Sequence, residues 1–143
     1  MIVLDTNIVS VFAQPRDRWP DPLAAWLADQ RRGSLYLTTV TRAEVAYGVA
    51  VLPDGKRKHD LAARVARLLA DLEPYTLPFD VAAADAYGDI AARRRAAGRP
   101  ISTADAQIAA VATVQDATVA TRNTKDFDGL GLVLVNPYGY RPS

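Results

Sequence analysis

Ile2-Val3-Leu4-Asp5-Thr6-Asn7 decides how the rest of the chain is read. Three apolar residues, then an acid and two hydrogen-bonding side chains, describe a short buried strand that ends on a carboxylate. Residues 6–12 continue as a helix. A strand buried on both faces and followed at once by a helix is the start of an α/β fold with a parallel sheet.

The same alternation runs outward from there. Pro15, Pro20 and Pro22 make residues 14–22 a loop, and 23–32 a helix with Leu23, Trp26 and Leu27 on one face, ended by Gly33. Leu35-Tyr36-Leu37 is a second strand and 42–51 a third helix. After the turn Pro53-Asp54-Gly55, the residues Leu61, Val65, Leu68, Leu69 and Leu72 recur at helical spacing. Tyr75-Thr76-Leu77 is a strand, 81–97 a long helix stopped by Gly98 and Pro100, and 104–114 another helix. Thr118-Val119-Ala120 and Leu132-Val133-Leu134-Val135 supply the last strands. The expectation is one α/β domain over residues 1–143, with a central parallel sheet of four to five strands flanked by helices. Ligands of such sheets bind beyond the carboxyl ends of the strands.

Composition narrows the chemistry. The 143 residues are 50% hydrophobic and 23% charged, an ordinary globular balance. No stretch approaches the roughly 18 apolar residues of a membrane span, and the N-terminus lacks the basic flank of a signal peptide, so the expected location is the cytoplasm. Cysteine is absent, which removes disulfides, thiolate metal sites and cysteine nucleophiles together. The one histidine, His59, lies in Lys56-Arg57-Lys58-His59-Asp60, read as a polar run between elements. Any metal must then be held by oxygen, which suits Mg²⁺ or Mn²⁺. A net charge of +1 does not itself announce a nucleic-acid partner.

Three acids stand out by position. Asp5 follows the first strand, Glu44 sits in the first turn of the helix after the second, and Asp105 in the first turn of the helix before Thr118. A polar cluster, Thr121 to Asp126, follows the strand Thr118-Val119-Ala120. Parallel strands would gather these positions on one sheet edge. Each acid also has a capping reading: Asp5 ahead of Thr6, Thr41-x-x-Glu44, and Ser102-x-x-Asp105. Several unpaired acids packed together repel by several kcal/mol unless a cation neutralises them. Carboxylates at about 2.0–2.5 Å hold a divalent ion that acidifies a bound water and offsets charge on a phosphate. Thr6, Asn7, Thr103 and Thr121 are placed to orient such ligands, or else to serve ordinary turns and caps.

Ile2 to Asn7, the Thr41-x-x-Glu44 helix start, Ala104-Asp105-Ala106-Gln107-Ile108-Ala109-Ala110 and Val119-Ala120-Thr121-Arg122-Asn123 together resemble PIN-domain proteins. Within that family the chain is similar to VapC/FitB-type toxins of bacterial toxin–antitoxin pairs. Val51 to Lys58 and Val135-Asn136-Pro137-Tyr138 add to the likeness, which spans nearly the whole chain in order. The resemblance implies a single PIN domain, a Mg²⁺ or Mn²⁺ site, endoribonuclease activity, a homodimer and a small VapB-like antitoxin. It implies Asp5, Glu44 and Asp105 as metal-site acids. At the fourth family position this chain has Asn123, with Asp126 three residues on. Asn123 is expected at the metal site and Asp126 at its margin, since Asp126 reaches the site only if 123–126 form a helical turn and otherwise caps the turn before Phe127 or pairs with a surface base.

Other readings are weaker. A phosphatase using a covalent aspartate wants a second acid where Asn7 stands, and no Gly-rich phosphate loop is present. A catalytically weak or inactive PIN-like module that only binds RNA or a partner is the alternative that Asn123 favours. Arg93-Arg94-Arg95 and Lys56-Arg57-Lys58 read as solvated faces, with guidance of an RNA backbone as the other option. Tyr36, Tyr47, Trp19 and Trp26 are candidates for base stacking, Trp26 and Tyr36 more naturally core. The apolar residues Val45, Val49, Leu52, Leu61, Val65 and Leu68 exceed the needs of one small core and point to a subunit or partner face.

Overall fold

The computed structural model describes all 143 residues. Its five strands are β1 (Ile2–Leu4), β2 (Leu35–Thr38), β3 (Thr76–Leu77), β4 (Thr118–Ala120) and β5 (Leu134–Val135). The helices are α1 (Thr6–Phe12), α2 (Asp21–Ala28), α3 (Thr39–Ala50), α4 (Lys56–Asp71), α5 (Val81–Ala96) and α6 (Thr103–Val114). The sheet order is β3-β2-β1-β4-β5 and every pairing is parallel. The expected single α/β domain with a parallel sheet is what forms.

Topology fixes where a site can sit. From β1 the chain steps outward through β2 to β3, then returns to lay β4 on the other side of β1. The connections leaving β1 and β4 therefore part in opposite directions, opening a crevice at their carboxyl ends. Asp5 follows β1 and Thr121 follows β4, and Ala120 O accepts the Asp5 N–H at 2.9 Å.

Two apolar clusters hold the layers. Val3 and Val119 join Ala83 and Ile90 of α5 and Ile108 and Val111 of α6 on one face. Leu4 and Ala120 join Ile8, Leu23, Trp26, Val45, Val65 and Leu69 on the other. Neighbouring residues of β1 and β4 thus go to opposite clusters, as the pleat requires. Full burial of a side chain such as Leu23 or Ile90 contributes about 1.5–3 kcal/mol.

Several expected boundaries move. Helix α2 starts at Asp21, with Pro22 in its first turn, and ends at Ala28. Helix α3 starts directly after β2 because Thr38 accepts the Thr41 N–H and caps it, so Thr41 is not the cap. Glu44 is consequently in the second turn of α3, not the first. The run Lys56 to Asp60 is not a connection but the first turn and a half of α4, entered through Gly55 at φ +149, a backbone that disfavours side chains. Three cations there oppose the helix dipole, and the pairs Lys56–Asp60 (2.8 Å) and Lys58–Asp54 (3.5 Å) offset part of that. Leu132 and Val133 fall outside β5. Val45 and Val65 are buried in the second cluster, whereas Val49, Leu61 and Leu68 are only partly buried against it, so the domain covers this face in part. No helix is long and apolar enough to cross a membrane.

Candidate active site

Each candidate acid is delivered by a different element. Asp5 is the N-cap of α1, its Oδ1 accepting the Thr6 N–H at 2.8 Å. Glu44 rides on α3, and Asp105 on the first turn of α6, where Ser102 accepts its N–H at 3.2 Å as the capping reading expects. Asp126 belongs to a single 3-10 turn, Thr124–Phe127, that follows β4.

Hydroxyls tie these pieces together. The Thr121 hydroxyl donates to Asp5 Oδ2 at 2.7 Å and itself accepts the Asn123 N–H at 3.0 Å. Asn7 lies between α1 and the end of β4: its Oδ1 accepts the Arg122 N–H at 3.3 Å and its Nδ2 approaches Thr121 Oγ1 at 3.5 Å. The Thr6 hydroxyl donates to Glu44 Oε1 at 2.6 Å and lies 3.1 Å from the buried Thr41 hydroxyl. Of the four polar helpers expected from the sequence, Thr6, Asn7 and Thr121 join this network. Thr103 is exposed and makes no side-chain hydrogen bond. Thr38 was missed and Thr41 was read only as a cap, because nothing in the spacing separates a threonine that caps from one that packs.

Electrostatics mark the four acids as one group. Asp5 is almost fully buried, and its carboxyl is pushed up to about 6. Burial is the main cause, the Thr121 and Thr6 bonds oppose it, and the charges of Asp105 and Glu44 add to it. Asp105 is also raised, again by burial first, then by Asp126 and Glu44, with Ser102 and the Arg94 cation pulling the other way. None of the four acids forms a salt bridge. Four unpaired carboxylates with only oxygen donors around them suit a hard divalent cation. They line an opening rather than converging on a point, since no three are grouped tightly enough to enclose an ion by themselves.

The segment after β4 sorts two candidates. Asn123 is exposed and its side chain makes no hydrogen bond. Asp126 N–H donates to Asn123 O at 3.0 Å, so the helical turn that Asp126 needs is formed. Asp126 is half-buried, and among the acids its charge acts most strongly on Asp105. Of the basic run on α5, Arg93 and Arg95 are exposed, but Arg94 is buried, so the solvated-face reading fails at that residue. Trp26 is buried in the core, Tyr36 is half-buried and edge-on against Tyr75 outside both apolar clusters, and Tyr47 is exposed.

From Glu44 an apolar groove of about 200 Å³ runs between α1, α3 and α4. Ser10, Gln14, Val45, Gly48, Leu61 and Val65 are among its walls.

Residues 2–131 match the model of the PIN domain. The VapC ribonuclease Y4jK of Sinorhizobium fredii is 40% identical over 141 residues, covering 96% of this chain and 98% of that protein. The toxin FitB of Neisseria gonorrhoeae is 37% identical, covering 96% and 99%. The structure of FitAB bound to an IR36 DNA fragment contains a chain that superposes with a TM-score of 0.89 at 35% identity, over 99% of both chains. PIN-domain nucleases use divalent metal ions. With a parallel five-stranded α/β sheet, relatives 37–40% identical over nearly their whole length and a family match over residues 2–131, the chain belongs to the PIN-domain family.

Proposed function

We propose that the protein is the toxin of a VapBC-type pair, a Mg²⁺- or Mn²⁺-dependent endoribonuclease acting at Asp5, Glu44, Asp105 and Asp126. One observation supports this reading: Asp5, at the end of β1, is buried without a cation partner and raised to about 6, with the charges of Asp105 and Glu44 acting on it. A protein does not hold charges that way for stability. Bound there, a divalent cation neutralises the acids, offsets charge on the scissile phosphate and acidifies a water.

The chain's own residues set the geometry. Thr121 and the Thr6 N–H fix both Asp5 oxygens, leaving each a free lone pair toward the crevice. Thr6 holds Glu44 at one oxygen and leaves the other free. Asp105 and Asp126 face the same space from α6 and the 124–127 turn. Asn123, exposed beside them, supplies at most a neutral oxygen at the rim. The binding-only alternative rested on Asn123, and Asp126 removes the need for an acid there.

The partner is a VapB-like antitoxin whose segment lies in the apolar groove beside Glu44 and directs a basic side chain at the acids. The toxin acts as a homodimer in the cytoplasm. Purified protein should cleave RNA with Mn²⁺ or Mg²⁺, and EDTA should abolish the cleavage. Full cleavage in EDTA, or by Asp5→Asn, rejects the reading.

A further inference from the structure

We infer that Arg94 is a positioning residue for the acid site: from inside the protein it fastens the turn that sets Asp126 opposite Asp105. The inference rests on the metal-site reading above and adds a residue to it.

Arg94 sits near the end of α5 and is only 7% exposed, whereas its neighbours Arg93 and Arg95 lie in solvent. Burying a guanidinium is costly unless its bonds have a task. Here Nη1 donates to Asp128 O at 2.9 Å and to Lys125 O at 3.3 Å. Those carbonyls bracket Asp126, one residue before it and two after. A 3-10 turn this short has few bonds of its own, and one cation holding a carbonyl inside it and another just past it restrains the residue between them. Arg99 adds a grip from outside, donating to Lys125 O at 3.1 Å. Arg94 Nε is buried with no partner at all, the one such side-chain atom in the protein.

The grip matters because of what it resists. Asp126 and Asp105 are like charges with no salt bridge to either, so their repulsion opposes holding the turn beside α6. Phe127, buried in the core beside them, anchors the turn but does not orient Asp126. The carbonyl clamp supplies the missing restraint.

Charge and position make opposite demands on Mn²⁺ binding, which gives the test its edge. If Arg94 acts only as a nearby positive charge, removing it strengthens the attraction of the site for a cation. If it positions Asp126, removing it weakens binding. Mn²⁺ titration of the full chain by calorimetry, with unfolding followed separately, distinguishes the two. Arg94→Met is expected to weaken Mn²⁺ affinity about tenfold. Arg94→Lys, which keeps the charge but not the reach and fork of the guanidinium, is expected to fall between it and wild type and protects the test if the first variant folds poorly. In an Asp126→Asn background the substitution at Arg94 should change Mn²⁺ affinity by less than about twofold, because the residue it positions no longer carries charge. Tighter or unchanged Mn²⁺ binding by a folded Arg94 variant overturns the inference. So does an equal loss with and without Asp126. Asp5→Asn serves as the control: if it keeps wild-type affinity the metal site itself is misplaced, whereas its loss beside an unaffected Arg94→Met overturns the role of Arg94 alone.

Discussion

Asp5→Asn should stabilise the metal-free protein at neutral pH while removing its cleavage activity. The Asp5 carboxyl rises from 3.8 to about 6 on folding, mainly through burial. A rise of that size corresponds to about 3 kcal/mol at 1.36 kcal/mol per unit. Because the folded value lies above the unfolded one, the folded protein holds the proton more tightly. The contribution of Asp5 to stability is therefore greatest below the unfolded value of 3.8, declines as pH rises, and is fully lost above about pH 6. Asparagine has no charge to desolvate, and its Oδ1 can still accept the Thr6 N–H. Its amide N–H₂, however, would face Thr121 Oγ1, which already meets Asn123 N and Asn7 Nδ2. That mismatch costs about 1–2 kcal/mol. The net gain at neutral pH is then about 1–2 kcal/mol, or roughly 3–6 °C in thermal midpoint for a chain of this length. Thermal unfolding in EDTA at about pH 7.5 and about pH 4.5 measures it: the gain should be present at the first and absent or reversed at the second, where wild-type Asp5 is protonated. Mn²⁺ should then raise the midpoint of wild type and not of the variant, reversing their order. A variant no more stable than wild type at the higher pH, or one whose advantage is the same at both, refutes the burial argument.

Three further outcomes are expected. Asp126→Ala should reduce Mn²⁺ affinity and cleavage by about tenfold or more, and Asn123→Ala by less; the opposite ranking, measured by titration and turnover, would move the fourth position to Asn123. Thr6→Val should lower kcat about 10- to 100-fold through the freed Glu44 carboxylate, with Thr6→Ser close to wild type; equal activity of both would remove Thr6 from the site. At Gly48 a Cβ meets nothing within 4 Å, so Gly48→Leu should raise stability by up to about 1 kcal/mol, leave cleavage intact, and weaken antitoxin binding by obstructing the groove; unchanged antitoxin affinity would place the partner elsewhere.

What the sequence disclosed follows physical lines. Short apolar runs ending at Asp5 and Thr121 were readable because a strand buried on both faces has few ways to be written. Asp105 was readable because Ser102 announces a helix start three residues earlier. Glu44 was found in the wrong turn, since the last residue of β2, Thr38, also serves as the cap, and a strand residue carries no signal of that double duty. Arg94 was lost inside Arg93-Arg94-Arg95, where composition alone gives three equivalent cations and only tertiary packing on α6 and the 124–127 turn picks one to bury. The basic start of α4 looked like a connection for a related reason: its three cations lie where helix starts usually carry acids. Asp126 depended on whether four residues made a turn, a boundary finer than periodicity resolves.

The order in which the acids occur along the chain has a consequence in time. Asp5 leaves the ribosome first, yet the strand that presents its hydroxyl partner Thr121, and the turn that carries Asp126, are made more than a hundred residues later. At bacterial-to-eukaryotic elongation rates of 5–20 residues per second that delay is about 6–25 s. Until β4 slots in beside β1, the sheet has no crevice and Asp5 is one solvated carboxylate among many. A nascent or truncated chain lacking the last quarter therefore carries three of the four acids but no site. The crevice is therefore completed only when synthesis is nearly finished.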